Sequence, residues 1–164
     1  MPKDPNRERD TIGVLFVCLG NICRSPLAEA IFLDKIERKG VRDRFLVDSA
    51  GTGSWHVGQR ADPRTIEVAS RYDISVPSIG RQVKPGDFER FDLLLAMDRS
   101  NEKDLLKAGA PSERLRLMMS FHPEHTDNPS DVPDPYWGEG DGFERVYRML
   151  DVACDGLIGA MLER

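Results

Sequence analysis

The stretch VLFVCLGNICRSPLAEAIF, residues 14–32, decides how this chain is read. Its first five residues, Val14 to Cys18, are apolar or thiol and have the length of a buried strand. A short polar connection follows, and Ser25-Pro26 then opens an apolar-periodic run, with proline where a helix tolerates it best, in the first turn. Strand, tight turn and helix is the start of an α/β unit. Outward from it, FLVDSA (45–50), DLLLAM (92–97) and RLRLMMS (114–120) are further strand-like segments. Helical spacing predicts helices over 26–39, over 63–72 behind the Asp62-Pro63 cap, over 100–108 up to Gly109, and over 143–162. In the last, Phe143, Val146, Tyr147, Leu150, Cys154, Leu157, Ile158 and Met161 form a core stripe. Strands alternating with helices predict a single α/β domain over 11–164, a parallel sheet covered on both faces, with ligands bound beyond the carboxyl ends of strands. The carboxyl end of the first strand is Cys18.

Composition narrows the function classes. No apolar run approaches the ~20 residues of a membrane-spanning helix, so no membrane partner is expected. A net charge of −5 argues against a nucleic-acid partner, because phosphate-neutralising proteins carry a basic face. The opening MPKDPNRERD (1–10) has no apolar stretch behind it and reads as a polar N-terminal extension, not a secretory signal. Three cysteines, Cys18, Cys23 and Cys154, make no disulfide framework and suit a reducing compartment, with the cytoplasm as the expectation.

The turn after the first strand carries the chemistry. Gly20 and Asn21 are its residues best suited to positive φ. A turn of that shape at a helix N-terminus aims successive backbone N–H groups inward and makes a nest for a tetrahedral anion. Leu19, Gly20, Asn21, Ile22, Cys23, Arg24 and Ser25 are thus read as a phosphate-binding loop. The planar guanidinium of Arg24 can hold two phosphoryl oxygens at once. The same amides and Arg24 favour thiolate at Cys18, a nucleophile placed under the bound phosphorus. C-x5-R alone is weak, since a strand-end cysteine is more often a small buried hydrophobe; the strand before it and the Ser-Pro helix start after it give the motif its weight. A metal held by Cys18 and Cys23 is disfavoured because no second ligand pair follows.

An oxygen leaving group on phosphorus departs more easily if an acid within hydrogen-bond reach protonates it. Asp127, Asp131, Asp134 and Asp141 all lie in the long irregular segment 122–142, and composition does not separate them. Asp134 is favoured by Pro135, which stiffens the chain, and by the aromatics Tyr136 and Trp137 that follow; Asp62-Pro63 reads as a helix cap. Trp55, Tyr136 and Trp137 are candidate pocket walls. His56, His122 and His125 are assigned no role, the H-x-x-H spacing notwithstanding.

VCLGNICRSPLAEAIF (17–32), DSAGTGSWHVGQRADPRT (48–65), FDLLLAMDRSN (91–101) and DPYWGEGDGFERVY (134–147) together resemble the low-molecular-weight protein tyrosine phosphatases over nearly all of the chain after residue 12. The resemblance implies a four-stranded parallel sheet with flanking helices and no metal or organic cofactor. It implies hydrolysis of phosphotyrosine and aryl phosphate monoesters through a phosphocysteine, with phosphotyrosine-containing proteins or peptides as partners. Cys18 would be the nucleophile, Arg24 would bind the phosphoryl group with the amides of 19–24, and Asp134 would be the general acid. Asn21 would hold the strained loop by hydrogen bonds, and Ser25 would donate to the thiolate. One departure stands out: many members carry a histidine where this chain has Ser78, in PSIGRQV (77–83), so Asn21 is expected to be held instead by Ser49 or another loop group. Three rivals remain. Arsenate-reducing relatives carry extra cysteines near the middle of the chain, and none occurs between 24 and 153 here. Arginine phosphatases resemble this loop but tend to carry threonine at the position of Ile22. A non-catalytic phosphate-binding module would need neither Cys18 nor Asp134. Finally, Cys23 lies five residues from Cys18 in the tight loop, which suggests a reversible disulfide protecting the thiolate.

Overall fold

The computed structural model describes residues 11–125, 127–138 and 140–163; the predicted N-terminal extension lies outside them. Four parallel strands, β1 (Ile12–Cys18), β2 (Phe45–Gly51), β3 (Leu93–Ala96) and β4 (Leu115–Leu117), form one sheet in the order β2-β1-β3-β4. The helices are α1 (Arg24–Arg38), α2 (Pro63–Ser70), α3 (Asp87–Arg90), α4 (Arg99–Lys107) and α5 (Gly142–Leu162).

Period-two alternation along β1 sorts the core into two layers. Val14, Phe16 and Cys18 face α1, α2 and α5, packing with Leu27, Ile31, Val68, Leu150 and Cys154. Leu15 and Val17 face the other way, toward Phe88, Phe91 and Leu105 of the α3–α4 side. Both faces are therefore dry, as a parallel sheet requires. On α1, Leu27, Ala30, Ile31 and Phe32 are buried at helical spacing, and Phe32 packs against Phe16 and Phe45 at ring distances of 5.6 and 5.2 Å.

Strands β2 and β3 flank β1 on opposite sides, so the chain crosses over at the carboxyl end of β1. Beyond the strands, Thr52 N–H donates to Cys18 O (2.9 Å) and Met97 N–H to Val17 O (3.1 Å), which leaves a crevice where the two departing segments diverge. In open α/β sheets that switch point is where ligands bind. Cys18 sits there.

Three elements differ from the sequence reading. Strand β4 stops at Leu117 instead of running to 120, because Met118–Phe121 folds into a 3-10 turn that buries Met118 and Met119. Gly156 of α5 permits that turn: a Cβ there would lie 1.9 Å from Phe121 O. The short helix α3 behind Pro85-Gly86 is absent from the sequence reading; four residues are too few for a periodic signal. Helix α1 begins two residues earlier than predicted, which draws Arg24 into its first turn.

Candidate active site

The loop from Leu19 to Cys23 joins β1 to α1, with Cys23 as the N-cap residue of the helix. Asn21 takes φ of 56°, left-handed backbone that asparagine tolerates better than most residues. Gly20, predicted to share that conformation, does not; the described residues at positive φ near the loop include only Asn21. A Cβ at 20 would lie 3.0 Å from His56 Cδ2, so a larger residue there would have to push that ring aside.

Cys18 is buried, and Ser25 surrounds its sulfur from one side: the Oγ lies 3.0 Å from Sγ and the Ser25 N–H points at Sγ from 3.5 Å. The Asn21 side chain holds the loop's shape. Its Nδ2 donates to Ser25 Oγ (2.8 Å) and Ser49 Oγ (3.0 Å), and its Oδ1 accepts from Arg81 N–H (3.0 Å). With serine at 78, Ser49 and the Arg81 backbone hold this residue, as the sequence allowed. Ser49 in turn donates to Glu29 Oε1 at 2.6 Å.

Arg24 is 2% exposed. Burial opposes its charge, but Cys18, Asp98 and Asp134 outweigh that and hold its pKa above the ordinary arginine value. One terminal nitrogen donates to Asp98 Oδ2 (2.6 Å) and Val132 O (2.9 Å), while the other lies 3.7 Å from Asp134 Oδ2. The guanidinium is thus clamped from behind with its other nitrogen facing the cleft. Cys23, by contrast, is held as a thiol: burial first, then Asp62, Cys18 and Asp134, push its pKa up to about 12.

A cleft of about 400 Å³ opens above the sulfur, lined by Cys18, Leu19, Gly20, Ile22, Cys23, Arg24, Trp55, His56, Asp134, Tyr136 and Trp137. All three predicted wall aromatics are there, Trp55 and Trp137 largely exposed at its mouth. Asp134 precedes a 3-10 turn (Pro135–Trp137), and its Oδ1 accepts from Tyr136 N–H (3.1 Å), which leaves Oδ2 toward Arg24. The competing acids fall elsewhere: Asp131 pairs with Arg99 at 2.9 Å, Asp127 is exposed, and Asp141 sits at the start of α5. Asp62 caps α2, accepting from Arg64 N–H at 2.8 Å. His122, Glu124 and His125 bring potential metal-ligand atoms within 4.8 Å of one another, but none of them lines the cleft.

Sequence reasoning missed Asp98, Glu29 and His56. Asp98 carried a signal, a carboxylate at the carboxyl end of a strand and three residues before Asn101, whose N–H it accepts at 2.7 Å. Glu29 carried none, being one polar residue inside an apolar-periodic helix.

A thiol at the switch point of a doubly wound sheet, next to the loop that caps α1 and to a clamped arginine, defines a class of α/β proteins with a cysteine and an arginine at the β1–α1 turn. Within that class the chain belongs to the low-molecular-weight phosphotyrosine protein phosphatase family, whose profile matches residues 13–164. A low-molecular-weight protein-tyrosine-phosphatase of Streptomyces coelicolor is 42% identical over 158 residues, 94% of this chain and 96% of the relative. A protein tyrosine phosphatase of Entamoeba histolytica, crystallised with Hepes in its active site, superposes with a TM-score of 0.87 at 41% identity, covering 93% of this chain and 98% of that one. A Drosophila arginine phosphatase has the same fold, with a TM-score of 0.81 and 32% identity over 90% of this chain and 96% of its own.

Proposed function

We propose that this protein hydrolyses phosphotyrosine in proteins or peptides, and aryl phosphate monoesters generally, through a phosphocysteine on Cys18. The observation that carries the reading is the convergence on one cleft of the Cys18 sulfur, the clamped Arg24 and, among the described residues, a single carboxylate, Asp134. The loop amides and Arg24 bind the equatorial oxygens and stabilise the charge of the transition state. Cys18 Sγ attacks phosphorus in line as the P–O bond to the phenol breaks, and Asp134 gives its proton to that oxygen. In the second half-reaction the Asp134 carboxylate takes a proton from water, the water oxygen attacks phosphorus, the S–P bond breaks, and inorganic phosphate leaves with the thiolate restored. Every proton donated in one half is recovered in the other, so no cofactor is called for. The Ser25 hydroxyl stabilises sulfur as nucleophile and as leaving group. Three free cysteines support a reducing compartment, the cytoplasm, as the site of action.

The experiment is a substrate series of phosphotyrosine, phosphoserine, phosphoarginine and arsenate with EDTA present. Preferred turnover of phosphotyrosine with a trapped phosphoenzyme supports the reading, and preference for phosphoarginine overturns the substrate assignment. The second reading, arginine phosphatase activity, has the Drosophila neighbour in its favour. Against it stands Ile22, apolar and lining the cleft, where the resemblance associates threonine with phosphoarginine.

A further inference from the structure

Behind the loop lies a carboxylate that the reaction above does not use. Glu29 is on α1, facing β2, and is 9% exposed. Its Oε1 accepts from Ser49 Oγ at 2.6 Å. The same Oγ accepts from Asn21 Nδ2, which also donates to Ser25 Oγ, 3.0 Å from the Cys18 sulfur. An ionised carboxyl only accepts, and a hydroxyl has one proton. Ser49 therefore gives its proton to an ionised Glu29 and receives Asn21, and Ser25 receives Asn21 likewise, with its Oγ beside the Cys18 sulfur. The Asn21 amide stands between two hydroxyls, one beside the Cys18 sulfur and the other aimed at the Glu29 carboxyl.

The groups facing Glu29 do not neutralise it. Asp48 of β2 adds a negative charge. Arg81, from the segment before α3, is committed to Asp48 (3.0 Å) and to the buried Asp87 (3.0 Å), and Arg42, from the 3-10 turn before β2, donates to Phe45 O (3.2 Å). Burial accordingly raises the Glu29 carboxyl to about 7, with Asp48 adding to it and Ser49, Arg81 and Arg42 opposing.

We propose that Glu29 is the proton-linked positioning residue of the phosphate loop: its carboxylate aims the Ser49–Asn21 chain, and it takes a proton from solvent when a phosphoryl dianion fills the loop. The proposal rests on the loop's being an oxyanion site. Like charges in one buried network disfavour each other, and linkage is reciprocal, so an anion in the loop favours protonated Glu29 and protonated Glu29 favours the anion. Once neutral, Glu29 still accepts from Ser49 through its carbonyl oxygen, and the aim of Asn21 is kept.

The test uses sulfate, a dianion throughout the range from about pH 5.5 to 8.5, in a Cys18→Ser background that removes the thiol from the titration. Sulfate affinity, read by tryptophan fluorescence at Trp55 and Trp137, is expected to fall on the order of fivefold as pH rises through neutrality. Adding Glu29→Gln, which preserves shape and an acceptor for Ser49, is expected to flatten that slope; His56 is present in both variants and cancels. Calorimetry of sulfate binding to Cys18→Ser in buffers of different ionisation enthalpy is expected to show net proton uptake near pH 7, and needs no substitution at 29. An unchanged slope in the double variant, or no proton uptake, overturns the role of Glu29 while aryl phosphate turnover by the unmodified enzyme leaves the phosphatase reading standing. Absence of both sulfate binding and aryl phosphate turnover overturns the two together.

Discussion

Arg24 and Asp98 are joined nitrogen to oxygen at 2.6 Å, 74 residues apart in the chain. The same carboxylate caps α4 through Asn101 N–H. One side chain thereby fixes both the orientation of the cleft-lining arginine and the start of the helix beside it. Asp98→Asn keeps an oxygen for the cap but removes the charge that orients Arg24. It is expected to lower kcat/KM roughly tenfold or more, an effect of about 1.4 kcal/mol, and to lower Tm as well, because the amide nitrogen would face the buried Arg24 as a second donor. Asp98→Ala also leaves Arg24 buried without its partner and is expected to cost about 3 kcal/mol of stability in a urea melt.

Cys18→Ser is expected to abolish turnover while oxyanion binding persists, since the loop amides and Arg24 are untouched. Arg24→Lys is expected to cripple both, because a point ammonium cannot reach Asp98, Val132 O and the anion in one plane. Steady-state rates and sulfate titrations read the two effects separately.

For Asp134→Ala the expected loss is on the order of 10²- to 10⁴-fold with a poor phenolic leaving group and smaller with an activated one. Equal losses across a leaving-group series would show that Asp134 is not the acid.

Stability should depend on pH through Glu29. Its folded pKa, about 7, lies above the ordinary carboxyl value of 4.5. Between those values the folded protein holds a proton that the unfolded chain has released, so stability falls as pH rises across that window. At pH 8 Glu29→Gln is expected to recover up to about 2–3 kcal/mol relative to its effect at pH 4. Urea denaturation at both pH values measures the difference; a constant difference would refute the linkage.

Mild peroxide is expected to join Cys18 to Cys23. Peroxide oxidises the Cys18 sulfur to sulfenic acid, and the Cys23 sulfur attacks it, losing its proton as water leaves, to form the disulfide. Mass spectrometry should find the 18–23 bridge, reversed by dithiothreitol, and in Cys23→Ser the sulfinic acid of Cys18 instead. Sulfinic acid in the unmodified protein, with no bridge, would reject this protection.

Much of the molecule was legible in the chain because its signals are local. Strand-length apolar runs, helical periodicity and the Asp62-Pro63 cap are set by neighbours a few residues away, and so are the turn after Cys18 and the stiffening of Asp134 by Pro135. They were enough for the parallel α/β fold and for placing Cys18 and Arg24 at the turn after the first strand. Tertiary structure decided what depends on residues far apart. Of the four candidate carboxylates it brought Asp134 to the cleft, while Asp131 pairs with Arg99, Asp127 is exposed and Asp141 sits at the start of α5. It ended β4 at Leu117, where close packing against Gly156 outweighs the continued apolar run. It also set Asp98 behind Arg24 and Glu29 behind Asn21. Long-range pairing and burial fix such partners: charge and hydrogen-bond strength grow as water is excluded, and no window along the chain records which surfaces will exclude it together.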